Sequence, residues 1–193
     1  MVNIIEEWAA VEIPTPPQIE EKLEVAPEAS ALLVLDLQRQ NCNSERRPRC
    51  VNSLTSVSGL LERARGAGAT VVYSLTRNAD ETDIREEVFP LGNEPLVRSG
   101  VDKFQGTDLD AILRDGGIDT VIIIGTSAHG AVLHTGTGAA LRDYQVIVPV
   151  DCISSDQPYA EQYTVWHLAN APGSRGNVRL THSAGITFGA GKR

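Results

Sequence analysis

One stretch, residues 120–144, restricts the fold of this chain more than any other. A β-branched run at positions 121–124 ends at Gly125, passes through a short polar loop, and opens into a small-residue helix with Thr135 and Ala139 in its body. That reads as a buried strand, a tight turn and a helix. In an open α/β sheet such a turn lies at the carboxyl edge of a strand, where the next helix presents unpaired N–H groups and its positive dipole end. A reactive site, where the chain has one, belongs here.

The flanking sequence repeats the pattern. Apolar runs at 31–35, 69–75, 96–99, 145–150 and 178–181 read as strands. Between them, 54–67 carries Leu54, Val57, Leu60, Leu61 and Ala64 at helical spacing before the glycines Gly66 and Gly68. A short helix is expected at 108–114 with Thr107 as its cap, and another at 159–171 with Trp166 and Leu168 toward the sheet. Strands alternating with helices predict an α/β fold, a mostly parallel sheet with helices on both faces. Residues 1–29, interrupted by Pro14, Pro16 and Pro17, read as an arm, and 30–193 as one domain. No internal repeat or second-domain boundary is evident.

Composition narrows the partners. A formal net charge of −8 over 193 residues, with no Lys/Arg run to offset it, argues against a nucleic-acid backbone. No basic leader and no apolar run of membrane-spanning length is seen, so a soluble cytoplasmic protein with no membrane partner is expected. Cys42, Cys50 and Cys152 form neither a dense disulfide framework nor a C-x-x-C pair, which predicts reduced thiols. No His or carboxylate cluster has ligand spacing, so neither metal nor cofactor is expected.

Three separated segments carry a resemblance. They are the run at 31–38 ending Asp36-Leu37-Gln38, the segment Asp102-Lys103-Phe104-Gln105-Gly106-Thr107-Asp108-Leu109, and the strand and elbow at 121–135. In this order they resemble the isochorismatase-like (cysteine hydrolase) superfamily over roughly residues 31–188. The resemblance implies a three-layer Rossmann-like fold with a six-stranded parallel sheet, a cis peptide near Ser127-Ala128, and assembly into dimers or tetramers. In its amidase branch an aspartate, a lysine and a cysteine do the chemistry: the carboxylate takes the thiol proton and the thiolate attacks a carbonyl carbon. Asp36 and Lys103 match the first two.

The third position falls on Ala131, whose methyl group is no nucleophile. The pair Ala128-His129 ahead of Gly130 is similar to the isochorismate hydrolases of the superfamily, in which the aspartate acts as general acid on a vinyl ether. Their aromatic signature after the lysine is absent, and the Asp-x-His that nicotinamidases use to hold a metal is replaced by Ser74-Leu75-Thr76-Arg77-Asn78. The expectation is therefore hydrolysis of a small, carboxylate-bearing molecule by Asp36 without a cysteine. An amidase whose cysteine has been replaced, and a non-catalytic binding protein, remain the alternatives.

Single residues read two ways. Asp36 caps a turn or transfers a proton; Lys103 is a surface lysine or the buried partner of Asp36. His129 contacts substrate or orients the elbow. Arg77 and Arg39 bind an anion or are solvated. Ser127 and Gly130 in the elbow and Gln38 beside Asp36 complete the substrate-contact set, Ser127 otherwise bonding only its own loop. Cys42 and Cys152 are substitutes for the missing thiol, or inert.

Overall fold

The computed structural model describes residues 3–189. In chain order its main elements are strand β1 (Leu23–Val25), β2 (Ser30–Leu35), helix α1 (Pro48–Ala67), β3 (Thr70–Thr76), β4 (Leu96–Ser99), α2 (Leu109–Asp115) and β5 (Thr120–Thr126). A π-helical turn (Ala128–Val132) then runs into α3 (Leu133–Ala140), followed by β6 (Gln145–Pro149), β7 (Ile153–Ser154), α4 (Pro158–Asn170), β8 (Val178–Thr181) and β9 (Ile186–Phe188). Six strands lie in the order β4-β3-β2-β5-β6-β8, every pair parallel. The sheet has seven strands rather than the six expected, because β6 leaves β5 after Ile147 and the two-residue β7 pairs with the end of β5 instead.

Successive strand residues point to opposite faces, so an apolar run builds two cores at once. On β2, Leu32 and Val34 join Leu54, Val57, Leu60 and Leu61 of α1. Ala31, Leu33 and Leu35 join Leu109, Leu113, Ala139 and Leu168 on the other face. The N-cap of α2 is Asp108, one residue later than expected, while the Thr107 hydroxyl before it accepts from the Leu109 N–H at 3.2 Å. Helix α1 stops at Gly68, where φ is +79°.

Gly125 shows why the central strand needs a glycine. Its φ is +124°, and a Cβ there would lie 2.0 Å from the carbonyl oxygen of Leu35 in β2. Neither strand can yield without breaking the ladder on its far side. Gly125→Ala should therefore cost about 4 kcal/mol or more, the range of severe backbone clashes. A melting temperature within a few degrees of the parent chain would refute this.

The end of the stretch expected as an arm lies against the domain: β1 pairs with β9, and Glu20 forms a bridge to Thr181. Three expectations are corrected. Trp166 is exposed while Leu168 is fully buried, because the two project from different faces of α4. The cis peptide is Thr126-Ser127, one bond earlier than expected. Finally, Cys42 and Cys50 form a disulfide, with Cα atoms 5.3 Å apart. Asn43 accepts from the N–H groups of Glu45 and Arg46 and folds the loop back, so that the first turn of α1 brings Cys50 beside Cys42. A reducing compartment disfavours such a bridge.

The third cysteine, Cys152, is free and buried. Burial, with Asp151 alongside, pushes its thiol up to about 12. Unfolded without reductant the chain should show one reactive thiol, and with reductant three. Three thiols without reductant would remove the bridge.

Candidate active site

The winding of the sheet locates the place where a ligand can bind. From β2 the chain steps out to β3 and β4, then returns to β5 and continues the other way to β6 and β8. The direction reverses between β2 and β5, and the crevice beyond their carboxyl ends is the expected ligand site of such a sheet. Asp36 follows β2 directly and the elbow follows β5. Leu35 and Gly125 are register partners, so the two loops leave the sheet side by side.

Asp36 adopts a left-handed conformation, φ +52°, which turns the chain off the sheet. Its carboxylate accepts from the Ser74 hydroxyl at 2.9 Å through Oδ1 and from Lys103 Nζ at 2.7 Å through Oδ2. Lys103 comes from the loop after β4, two strands away, and is 0% exposed; Asp36 is 5% exposed. The lysine is held at both ends. Its backbone N–H donates to Thr135 of α3 at 3.2 Å, and Nζ also donates to the Gly100 carbonyl at 2.7 Å. Gly138 lets α3 approach that loop, since a Cβ there would lie 3.0 Å from Asp102.

Two influences on Asp36 oppose each other. Burial pushes its pKa above the usual carboxylate range, while Lys103 and Ser74 pull it down, and burial is the larger. The carboxyl is thus poised nearer neutrality than a surface aspartate, as a general acid or base requires.

The elbow supplies the other wall. Ala131 is 3% exposed in the first turn beyond β5, where any helix start leaves N–H groups without intrahelical acceptors. Gly130 is buried, and a Cβ on it would lie 2.5 Å from the Ser127 hydroxyl. His129 is exposed; its Nδ1 meets the Ser155 hydroxyl at 2.9 Å, and that hydroxyl donates to Asp156. His134 is exposed, and its Nδ1 bonds the Gly130 carbonyl one turn earlier at 2.8 Å.

The remaining candidates divide. Gln38 is fully buried, and its carboxamide is engaged by Ser74, Asn41 and Thr76, so it braces the loop from within. Arg77 is exposed beside Gly100, next to the carbonyl that holds Lys103. Arg39 is exposed in the loop after Asp36 and makes no contact with the pair. Cys42 has no thiol, and Cys152 is enclosed in the α1-side core. Ser74 and Thr135 escape a reading of sequence because each contributes one hydroxyl to a partner far along the chain. The register partner of Leu35 in β3 is Ser74, which sheet order alone would have revealed.

A cavity of about 870 Å³ borders the elbow on its α3–α4 side, lined in part by Asp102, His129, His134, Asp156 and Tyr163. Neither Asp36, Lys103 nor Ala131 lines it. Volume favours that cavity, whereas the buried charge pair and the switch point favour the crevice between β2 and β5. The charge pair decides, since volume alone specifies no chemistry. Among the described residues no group of three or more His, Cys, Asp or Glu is placed to hold a metal ion. None of the described helices is long and apolar enough to cross a membrane.

Residues 30–179 match the family model of the isochorismatase domain. The chain belongs to that family. An N-carbamoylsarcosine amidase from Arthrobacter sp is 30% identical over 101 residues, which cover 52% of this chain and 37% of that relative, well under half its length. Among solved structures, an isochorismatase family protein from Desulfovibrio vulgaris superposes with a TM-score of 0.72 at 20% identity, covering 81% of this chain and 95% of that one. The N-carbamoylsarcosine amidase from Thermoplasma acidophilum gives 0.69 at 24%, covering 80% and 96%. A nicotinamidase/pyrazinamidase from Bacillus subtilis gives 0.67 at 18%, covering 78% and 98%. At these identities the likeness establishes the isochorismatase fold, and the chemistry rests on the site.

Proposed function

We propose that this chain is a hydrolase of a small carboxylate-bearing molecule that uses Asp36 as general acid and works without a cysteine nucleophile. The observation that carries this reading is the buried Asp36–Lys103 pair at the switch point, with a carboxyl raised by burial and an alanine at position 131. A carboxyl raised by burial holds its proton to higher pH than a surface aspartate does, which suits a proton donor. On a vinyl ether the proton passes from Asp36 to the terminal carbon, leaving an oxocarbenium at the ether carbon. Water adds there and gives up a proton to the Asp36 carboxylate, and the hemiketal collapses to a keto acid and an alcohol. Lys103 stabilises the Asp36 carboxylate between the two proton transfers, and N–H groups of the elbow face the developing charge. Ala131 presents a buried methyl where an amidase of the family would place its thiol, and Gly130 carries no Cβ because one would clash with the Ser127 hydroxyl.

The kinship to an N-carbamoylsarcosine amidase favours a second reading, an amidase whose nucleophile is missing. The test is product analysis with the unmodified chain on two sets of substrates, enol ethers bearing a carboxylate and small carbamoyl compounds, following keto acid and ammonia. Keto acid release that Asp36→Asn abolishes supports the first reading. Full turnover by Asp36→Asn would sink it.

A further inference from the structure

The loop between β2 and α1 concentrates positive charge beside the crevice. Arg39, Arg46, Arg47 and Arg49 fall within eleven positions of a chain whose net charge is −8. Two of them have side-chain partners: Arg49 is forked onto Glu161, and Arg46 donates to the Gln40 carbonyl and the Asn41 side chain. Arg39 is exposed at the surface of the loop. Arg47 is different: it is half-buried, its guanidinium makes one hydrogen bond among the described residues, a long one from Nη1 to the Asn41 carbonyl at 3.4 Å, and its Nε is buried with no acceptor.

The position is also electrostatically unfavourable. Arg47 is the N-cap of the 20-residue helix α1, with Pro48 as the next residue. Its cation lies against the positive end of the helix dipole and near Arg46. A buried N–H without an acceptor adds a further cost. Asp36 and Asp156 both lie close enough to act on Arg47 through their fields, but neither forms an ion pair with it. The guanidinium therefore lies within the fields of both Asp36 and Asp156, with donors to spare.

Its place is rigidly set relative to Asp36. Asn41, whose carbonyl accepts from Arg47, donates to Gln38 at 2.8 Å; Gln38 donates to the Ser74 carbonyl at 3.5 Å; and the Ser74 hydroxyl donates to Asp36 at 2.9 Å. The Arg47 N–H donates to the Asn43 carbonyl at 2.9 Å, and its own carbonyl accepts from Cys50 at 3.0 Å. The Cys42–Cys50 bridge closes the same loop around it.

We infer that Arg47 is a specificity-determining residue that anchors the carboxylate of the substrate and directs the reacting end toward Asp36. The inference rests on the hydrolytic reading of the Asp36–Lys103 pair. It also gives the substrate a part in its own protonation: a carboxylate on Arg47 cancels the pull of that cation on Asp36 and adds a like charge nearby, so the acid keeps its proton until transfer.

Calorimetric titration with matched acid and amide probes, benzoate against benzamide and pyruvate against pyruvamide, tests this without requiring turnover. The unmodified chain should bind the acid of at least one pair roughly 10-fold more tightly than its amide, the scale of a hydrogen bond to a charged group. Arg47→Gln should erase that preference, Arg47→Lys should retain part of it, and Arg46→Gln should leave it unchanged. The lysine variant controls for folding. Equal binding of acid and amide by the unmodified chain, or a preference that survives Arg47→Gln, overturns the inference, as does an equal loss in Arg46→Gln. Failure of the hydrolytic reading would be seen elsewhere, as full turnover by Asp36→Asn.

Discussion

Replacing Asp36 with asparagine will abolish hydrolysis while leaving the shape of the site in place. Asparagine is of the same size and keeps one acceptor oxygen, for Ser74 or for Lys103, but it has no acidic proton to deliver, and loss of a positioned general acid costs about 10²- to 10⁴-fold in rate. The same change leaves Lys103, 0% exposed, without its counter-charge. An uncompensated buried charge destabilises a fold by about 3–5 kcal/mol, so the melting temperature should fall as well. The double variant Asp36→Asn, Lys103→Met separates the two effects. It removes both charges and should recover much of the stability but none of the activity.

The pH dependence carries the same argument with a definite sign. Because burial raises the Asp36 pKa, the folded chain holds that proton to higher pH than the unfolded chain does. The stability from this group is complete below the ordinary carboxylate value and is lost as pH rises through the raised one. Activity should follow the same direction if Asp36 donates the proton, level on the acid side and falling as pH rises. A site that used Asp36 as base toward a thiol would show the opposite limb. The profile of Asp36→Asn, at whatever residual rate it retains, should lose the limb.

How much of this was legible in the sequence depends on how local the information is. The inner strands β2, β3, β5 and β6 announce themselves because each is an apolar run largely buried on both faces, whereas the two-residue β7 does not; the turn at Gly125 follows from composition. The two-strand pair β1 and β9 does not, since three residues per strand carry no period and the partners lie about 160 positions apart. Asp36 and Lys103 could be named because each follows a strand within a recognisable segment. Arg47 could not, because its environment is set by the disulfide and by a helix start that the spacing placed six residues too late, at 54 rather than at Pro48. Trp166 failed for a related reason: helical spacing fixes which residues share a face, but the apolar area of an indole does not decide which face is covered.

Ala131→Cys is expected to leave the chain unable to release ammonia from N-carbamoylsarcosine or other small amides. Covalent amidase chemistry needs an ionised carboxylate to take the thiol proton, and the burial that raises Asp36 works against that state near neutral pH. The added sulfur also enters a site where position 131 is 3% exposed and Gly130 already sits against the Ser127 hydroxyl. Overfilling a packed site costs typically about 1–3 kcal/mol, and a displacement near 1 Å costs on the order of 100-fold in rate, so the variant should also lose its activity on enol ethers. The opposite result would be decisive. Ammonia released by the cysteine form alone would make position 131 a vacated nucleophile site, Asp36 a base, and covalent amide hydrolysis the chemistry for which the pair is built.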